Sequence, residues 1–312
     1  MWFFDNDHGS TSFKGCPESL CNITYDRSFL NESSLVLFHS RDFNAKDLPD
    51  HRMQDQRFTF MSMESPANSM MPMDRSISTM FNLTMTYMSS SDIVVKYGDV
   101  VRRKTPFPDI NYAKTKSRGT LWYVSNCFTE GSIIRWEFVK DLRQLVDVDV
   151  FGLCGDPDPC MLNIKKMRRR NATCSKEMEK SYRFYLAMEN SLCVDYITEK
   201  FWYALNNDMV PIVMGASIEE YQKVAPPLSF IHVNQFASVE ELSAHLIYLQ
   251  VNDDAYNQYM TWKRNFTVRQ NVFLSEILCL LCSKAQQRAQ HRASYSLKEW
   301  WNEDKLCRKS WR

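Results

Sequence analysis

Glu189, Asn190, Glu199 and Lys200 put charged and amide groups close together in one short segment, a set suited to holding an anionic ligand. The elements around them read as strand, loop, helix, strand. Residues 184–188 (FYLAM) form a short apolar run, and 210–214 (VPIVM) form a second, closed by Gly215. Between the runs, Ile197, Phe201, Trp202 and Leu205 recur at three and four residues, which predicts a helix over 198–206. Thr198 stands at its N-cap position. A helix N-terminus offers backbone N–H groups and a positive dipole end, which suit a phosphate. Lys200 in the first turn is unfavourably placed unless an anion lies near. In an open α/β sheet, the crevice at the strand ends is where ligands sit, and Tyr196 could stack or hydrogen-bond there.

Other chemistry-bearing residues are more scattered. Glu64 follows the run 58–63 (FTFMSM) and precedes Pro66, at a strand-to-loop edge. The six histidines (His8, His39, His51, His232, His245, His291) include no H-x3-H pair. Asp147-Val-Asp149 and Asp156-Pro-Asp158 have the D-x-D spacing that can hold Mn²⁺ on nucleotide phosphates, but valines flank the first and the second lies in a turn. Cys279-x-x-Cys282 is half of a zinc site without a companion pair, so a local disulfide is expected. Cys16 with Cys21 and Cys154 with Cys160 are similar short-range candidates, with the connectivity left open.

The 184–202 segment, FYLAMENSLCVDYITEKFW, resembles the donor-binding signature of the α1,3/4-fucosyltransferases, glycosyltransferase family 10, with Met188 where that family usually has Phe. The resemblance extends along nearly the whole chain. It includes Cys16-Pro-Glu-Ser with Cys21, Asp26-Arg27, Phe38-His39-Ser40-Arg41-Asp42 and Met63-Glu64-Ser65-Pro66. It continues through Phe81-Asn82-Leu83-Thr84-Met85-Thr86-Tyr87, Val124-Ser125-Asn126 and Cys279-Leu-Leu-Cys282. The resemblance implies a GT-B fold, two Rossmann-like α/β domains facing a cleft. It implies transfer of L-fucose from GDP-β-L-fucose to N-acetylglucosamine of a glycan, with inversion. Glu64 is then the base that takes the acceptor's proton. Lys200, with Arg135 as second cation, neutralises the leaving diphosphate. Asn126, Glu189, Asn190, Tyr196 and Glu199 complete the donor site, Glu199 through sugar hydroxyls or charge developing on the ring. No metal is obligatory, with Mn²⁺ an optional stimulant. The rivals are a transferase for another nucleotide sugar and an inactive secretory homologue. The second would be marked by loss of Glu64, Glu199 or Lys200, all of which are present.

The elements that must position these residues fall into two α/β halves. The first spans 1–115, with strands expected at 35–39, 58–63 and 92–97. A linker is expected around Pro106, Pro108 and 111–119. The donor half spans 120–283, with strands at 121–124, 146–151, 184–188, 210–214 and 230–233. Its helices are expected at 133–145, 198–206, 239–250 and 254–283. Residues 284–312 form a tail. Acceptor choice is expected in the loop 67–78, between lactosamine arms and the core N-acetylglucosamine of N-glycans.

Composition and compartment bound the reading. With 44% apolar and 24% charged residues the 312-residue chain is an ordinary globular protein, and a net charge of +1 gives no reason to expect nucleic acid. The basic run 165–170 reads as a solvated face. Sequons at Asn22, Asn31, Asn82, Asn171 and Asn265, together with ten cysteines, point to a secretory compartment. The expected setting is the Golgi lumen, as a single-pass type II protein. The resemblance places a tail, an anchor and a stem ahead of this chain, which is read as starting inside the family's first strand. An edge left open there is an aggregation hazard.

Overall fold

The structure is a computed structural model describing residues 13, 15–18, 20–69, 71, 74–127, 129–164, 167–270, 274–287 and 296–312. The strand expected at the start of the chain lies outside these residues, as do parts of the 67–78 loop and of the 165–170 run. The strands are β1 (Leu35–His39), β2 (Arg57–Ser62), β3 (Leu83–Thr86), β4 (Ile93–Val94), β5 (Gly98–Arg102), β6 (Arg118–Tyr123) and β7 (Val148–Phe151). They continue with β8 (Met161–Ile164), β9 (Met167–Arg170), β10 (Tyr182–Met188), β11 (Leu192–Cys193), β12 (Val210–Met214), β13 (Ile231–His232) and β14 (Phe266–Gln270). The helices are α1 (Arg75–Ser78), α2 (Glu130–Leu142), α3 (Ala172–Lys180), α4 (Glu199–Asn206), α5 (Ile218–Val224), α6 (Val239–Val251), α7 (Asp253–Gln258) and α8 (Leu274–Gln286).

The chain folds as two α/β units, Met1–Lys96 with Val272–Cys307, and Tyr97–Asn271 with Arg308–Arg312. In the first unit, β1 to β4 lie side by side in chain order, every pairing parallel. Parallel strands buried on both faces read as near-continuous apolar runs, as Val36-Leu37-Phe38 does. One face carries an aromatic cluster: Phe38 packs on Phe58 at 5.0 Å and on Phe81 at 5.8 Å, and Trp301 packs on Phe60 at 5.5 Å. In another cluster, Leu278, Leu281 and Cys282 of α8 join Leu37, Met85 and Ile93. Met71, Met85 and Met88 are buried, as core filling should be.

The second unit has a five-stranded sheet in the order β13-β12-β10-β6-β7, again all parallel. Alternate residues of a strand face opposite sides. Phe184, Leu186 and Met188 of β10 therefore join one core with Phe138 and Leu142 of α2 and Leu242 and Leu246 of α6. Tyr185 and Ala187 join the other, with Phe201, Trp202 and Leu205 of α4. The helical spacing read in the sequence is thus the buried face of α4, covering one side of a sheet that helices shield on both sides.

Four expectations are corrected. The region 254–283 is not one helix but α7, a 3-10 turn at Thr261–Arg264, β14 and α8. The alternating Phe266-Thr-Val-Arg-Gln pairs antiparallel with β5, a partner nearly 170 residues away that periodicity cannot reveal. Residues 106–119 are not a linker: Phe107 N–H donates to Arg264 O at 2.7 Å, Ala113 is buried, and the second unit already begins at Tyr97. The unit limits also differ from the expected 1–115, 120–283 and 284–312. The α8 segment belongs to the first unit, fastened by Cys16–Cys279 and Cys21–Cys282. Cys279 and Cys282 share one helix face, so both thiols meet the same neighbouring segment instead of each other. Cys154 pairs with Cys127, and Cys160 with Cys174, so none of the three expected local bridges forms. Among the described residues no cysteine is free.

Candidate active site

In the second sheet the chain moves from the central β6 outward to β7, then crosses back to β10 on the other side of β6. Strand order reverses between β6 and β10. The crevice outside the carboxyl ends of two such strands is the usual ligand site of a doubly wound sheet. Asn126 follows β6, and Glu189 and Asn190 follow β10, so three sequence-selected residues stand at this switch point.

Arg135 of α2 joins the two strand ends. Its Nη1 donates to Met188 O at 2.9 Å and its Nη2 to Asn126 O at 2.8 Å. The residue is 3% exposed, and its guanidinium stacks over Trp122 at 5.7 Å. Burial lowers its proton affinity, and the Glu189 carboxylate opposes that. Arg135, expected as the second cation for the diphosphate, stands here as a buried clasp on backbone carbonyls. Gly131 permits the close approach of α2, since a Cβ there would lie 2.1 Å from Asn190 O.

Glu189 is fully buried. It accepts from Thr198 N–H at 2.8 Å, from Thr198 Oγ1 at 2.7 Å and from Lys200 Nζ at 3.0 Å. Thr198 occupies the N-cap position of α4, but its hydroxyl makes no cap bond and donates to Glu189 instead. The anion at this helix N-terminus is thus the chain's own carboxylate, a partnership the N-cap reading missed. Lys200 also donates to Thr198 Oγ1 at 2.8 Å and to Glu199 Oε1 at 3.1 Å. Burial pushes the Glu189 carboxyl up, against Lys200 and Thr198. Burial opposes the Lys200 ammonium as well, but the two carboxylates outweigh it and hold the proton above the ordinary lysine range. For Glu199, burial is outweighed by Lys200, which holds the carboxyl below its ordinary range. Arg135, Glu189, Lys200 and Glu199 therefore alternate in charge, buried at one end and open at the other: Lys200's side chain is 21% exposed and Glu199's 50%. Tyr196 is buried, so its ring is not an open stacking surface.

Glu64 lies in the first unit, two residues beyond the carboxyl end of β2. Arg41, two residues beyond the end of the adjacent parallel β1, donates to Glu64 Oε1 at 3.0 Å. His39 Nδ1, at the end of β1, bonds Asp42 Oδ2 at 2.5 Å in the segment that follows the strand. The Arg41 contact was missed in the sequence, where 22 residues separate the pair; strand register is what brings them together. Asp149 accepts from Tyr182 Oη at the amino-terminal edge of its sheet, and Asp158 is bonded by Arg170 at 2.7 Å, so neither D-x-D pair stands at the switch point. Among the described residues no group of three or more His, Cys, Asp or Glu is placed to hold a metal.

Residues 113–300 match the family model "Glycosyltransferase family 10 (fucosyltransferase) C-term", and residues 1–98 match "Fucosyltransferase, N-terminal". The chain belongs to glycosyltransferase family 10. This fucosyltransferase is 33% identical over 286 residues to the 4-galactosyl-N-acetylglucosaminide 3-alpha-L-fucosyltransferase 9 of Rattus norvegicus, covering 90% of this chain and 75% of that one. It is 32% identical over 306 residues to the alpha-(1,3)-fucosyltransferase fut-6 of Caenorhabditis elegans, covering 94% and 76%. A crystal structure of an alpha1,3-fucosyltransferase with GDP-fucose overlays at TM-score 0.49 and 16% identity, over 77% of each chain, and adds nothing to the assignment. The switch-point residues of this family 10 enzyme lie within the C-terminal match and Glu64 within the N-terminal one.

Proposed function

We propose that this fucosyltransferase moves L-fucose from GDP-β-L-fucose to O3 of an N-acetylglucosamine, inverting the anomeric carbon. The charge alternation at the β6/β10 switch point carries the reading. Lys200 is gripped by buried Glu189 and by Thr198, and its third N–H, bonded to half-exposed Glu199, is the one that a ligand would take over. A diphosphate leaving from C1 needs positive charge fixed in advance, because donors that do not reorganise stabilise a transition state best. Glu199, ionised and half-exposed, is suited to the positive charge that grows on the fucose ring as the bond breaks. Arg135 contributes by holding the β6 and β10 ends at fixed separation, which sets the crevice that Asn126 and Asn190 line. Tyr196 supports it from a buried position. Glu64 takes the proton of the acceptor hydroxyl, oriented by Arg41. The activities in the relatives' names support the 3-linkage and an N-acetylglucosaminide acceptor. No residue in this scheme requires a metal, and Mn²⁺ enters only as a stimulant.

Our reading sets the enzyme in the Golgi lumen as a type II protein, a setting that its disulfides and sequons support; among the described residues no helix is long and apolar enough to cross a membrane. Transfer from labelled GDP-fucose to lactosamine and to a core N-glycan, for the chain and for Glu64→Gln, tests the assignment. Transfer should fall at least about 100-fold in the variant while GDP binding stays unchanged. Undiminished transfer by Glu64→Gln would remove it as the base, and the productive acceptor identifies the glycan class.

A further inference from the structure

The second unit holds a cavity of about 470 Å³ at the edge opposite the switch point. The starts of β6 and β7, the second residue of β10 and the ends of α2 and α6 surround it. Four of its lining side chains are cationic: Lys116, Arg118, Arg143 and Arg183. Two of these are matched by acids. Arg118 meets Asp149 at 3.4 Å, and Arg183 Nη2 meets Asp253 at 2.8 Å. Asp147 is a further acid in the lining, and it accepts from none of the three donors that remain. Lys116 Nζ, Arg183 Nη1 and Gln250 Nε2 are buried and have no acceptor among the described residues. Lys116 is 6% exposed and Arg183 8%. Asp208, whose charge reaches Lys116, is already bonded to Lys263 at 2.6 Å. The carboxyl ends of α2 and α6 bring partial negative charge to the rim and help to gather cations there. They leave these three donors unbonded all the same.

Buried donors are ordinarily satisfied, and three unsatisfied ones around a single cavity call for an acceptor-rich occupant. All three are donors, so the occupant supplies oxygens and no protons. Donors of this kind do not ligate a metal. The volume falls in the range of small-molecule sites, about 300–1,000 Å³, and exceeds what one tetrahedral anion fills. We propose that this cavity binds a phosphate or sulfate oxyanion, with room beside it for a sugar that carries the group. The site is independent of the donor crevice, which lies at the other end of the same strands.

The test is thermal melting of the intact chain with inorganic phosphate, and separately with a sulfated disaccharide, against potassium chloride of equal ionic strength. At a hundredfold excess over the dissociation constant the melting temperature should rise by about 4 °C. The rise should vanish in Lys116→Met and require about tenfold more ligand in Arg143→Gln, whose side chain is exposed and whose fold is not at risk. It should persist in full in Lys200→Gln. Tighter binding of the disaccharide would make the ligand a saccharide, and equal binding would make it the free anion. No rise beyond chloride would overturn the proposal and leave the three donors to water. A rise lost in Lys200→Gln and kept in Lys116→Met would overturn it too, by placing the anion in the donor crevice.

Discussion

Glu189 illustrates how one residue links stability and chemistry. It has no contact with solvent, and Thr198 and Lys200 satisfy it. Breaking a buried ion pair from one side leaves an uncompensated charge, so Glu189→Ala should cost about 3–5 kcal/mol, read as a fall in the denaturant midpoint. Lys200→Gln breaks the same pair from the other side and should in addition weaken GDP binding by at least about tenfold, because a phosphate loses its charge-assisted donor; unchanged GDP affinity would remove Lys200 from the donor site. Lys116 gives a pH signature of the opposite sign from an ordinary ion pair. Burial pushes its ammonium from 10.5 down to about 8. The unfolded chain holds this proton to higher pH than the folded chain, so the penalty is full below pH 8 and fades as pH rises toward 10.5. At about 1.4 kcal/mol per tenfold, it amounts to about 3 kcal/mol at pH 7. In phosphate-free buffer Lys116→Met should gain roughly that much at pH 7 and much less at pH 10. An equal gain at both would show that packing, not charge, sets the effect.

At the scale of elements, α2 is the piece whose placement decides the crevice. Its first turn rests on Asn190 O through Gly131, and Arg135 ties it to β10. Gly131→Ala should push α2 away, raise the donor KM several-fold and cost about 1–3 kcal/mol of stability. A donor KM that stays put while the protein melts early would confine Gly131 to packing. The bridges of α8 make a second case. Cys16–Cys279 and Cys21–Cys282 close loops of 263 and 261 residues that nearly coincide. Once one is closed, the other adds only a short further loop, so losing either should cost about 2–3 kcal/mol and losing both clearly more. Peptide mapping without reduction checks the connectivity directly. The same elements show what was legible beforehand. Apolar runs such as 35–39, 184–188 and 210–214 announced β1, β10 and β12, and the 3-4 spacing of Phe201, Trp202 and Leu205 announced α4. These signals are local. The β5–β14 pairing, the Cys16–Cys279 bridge, the Arg41–Glu64 contact and the turning of Thr198 toward Glu189 depend on residues brought together only by folding, and no window of sequence contains them.

At the scale of the whole molecule, the bridges and sequons suit a chain that matures in an oxidising lumen. Asn22, Asn31 and Asn265 are exposed. Asn82 and Asn171 are partly buried, accepting from Phe58 N–H at 3.1 Å and Cys174 N–H at 3.0 Å. In a secreted preparation glycans should sit on the first three, and peptide mass spectrometry after glycan release should find Asn82 and Asn171 unmodified. Both α/β units with parallel sheets and the family assignment rest on observation; donor, linkage and stereochemistry are the claim still to be tried. The most direct trial is an NMR spectrum of the product formed from ¹³C-labelled GDP-β-L-fucose and an N-acetylglucosamine-containing acceptor. The anomeric signal should be of α configuration, with the fucose C1 coupled through oxygen to C3 of N-acetylglucosamine. A β-linked product, or no product from a folded chain that binds GDP-fucose, would contradict that claim.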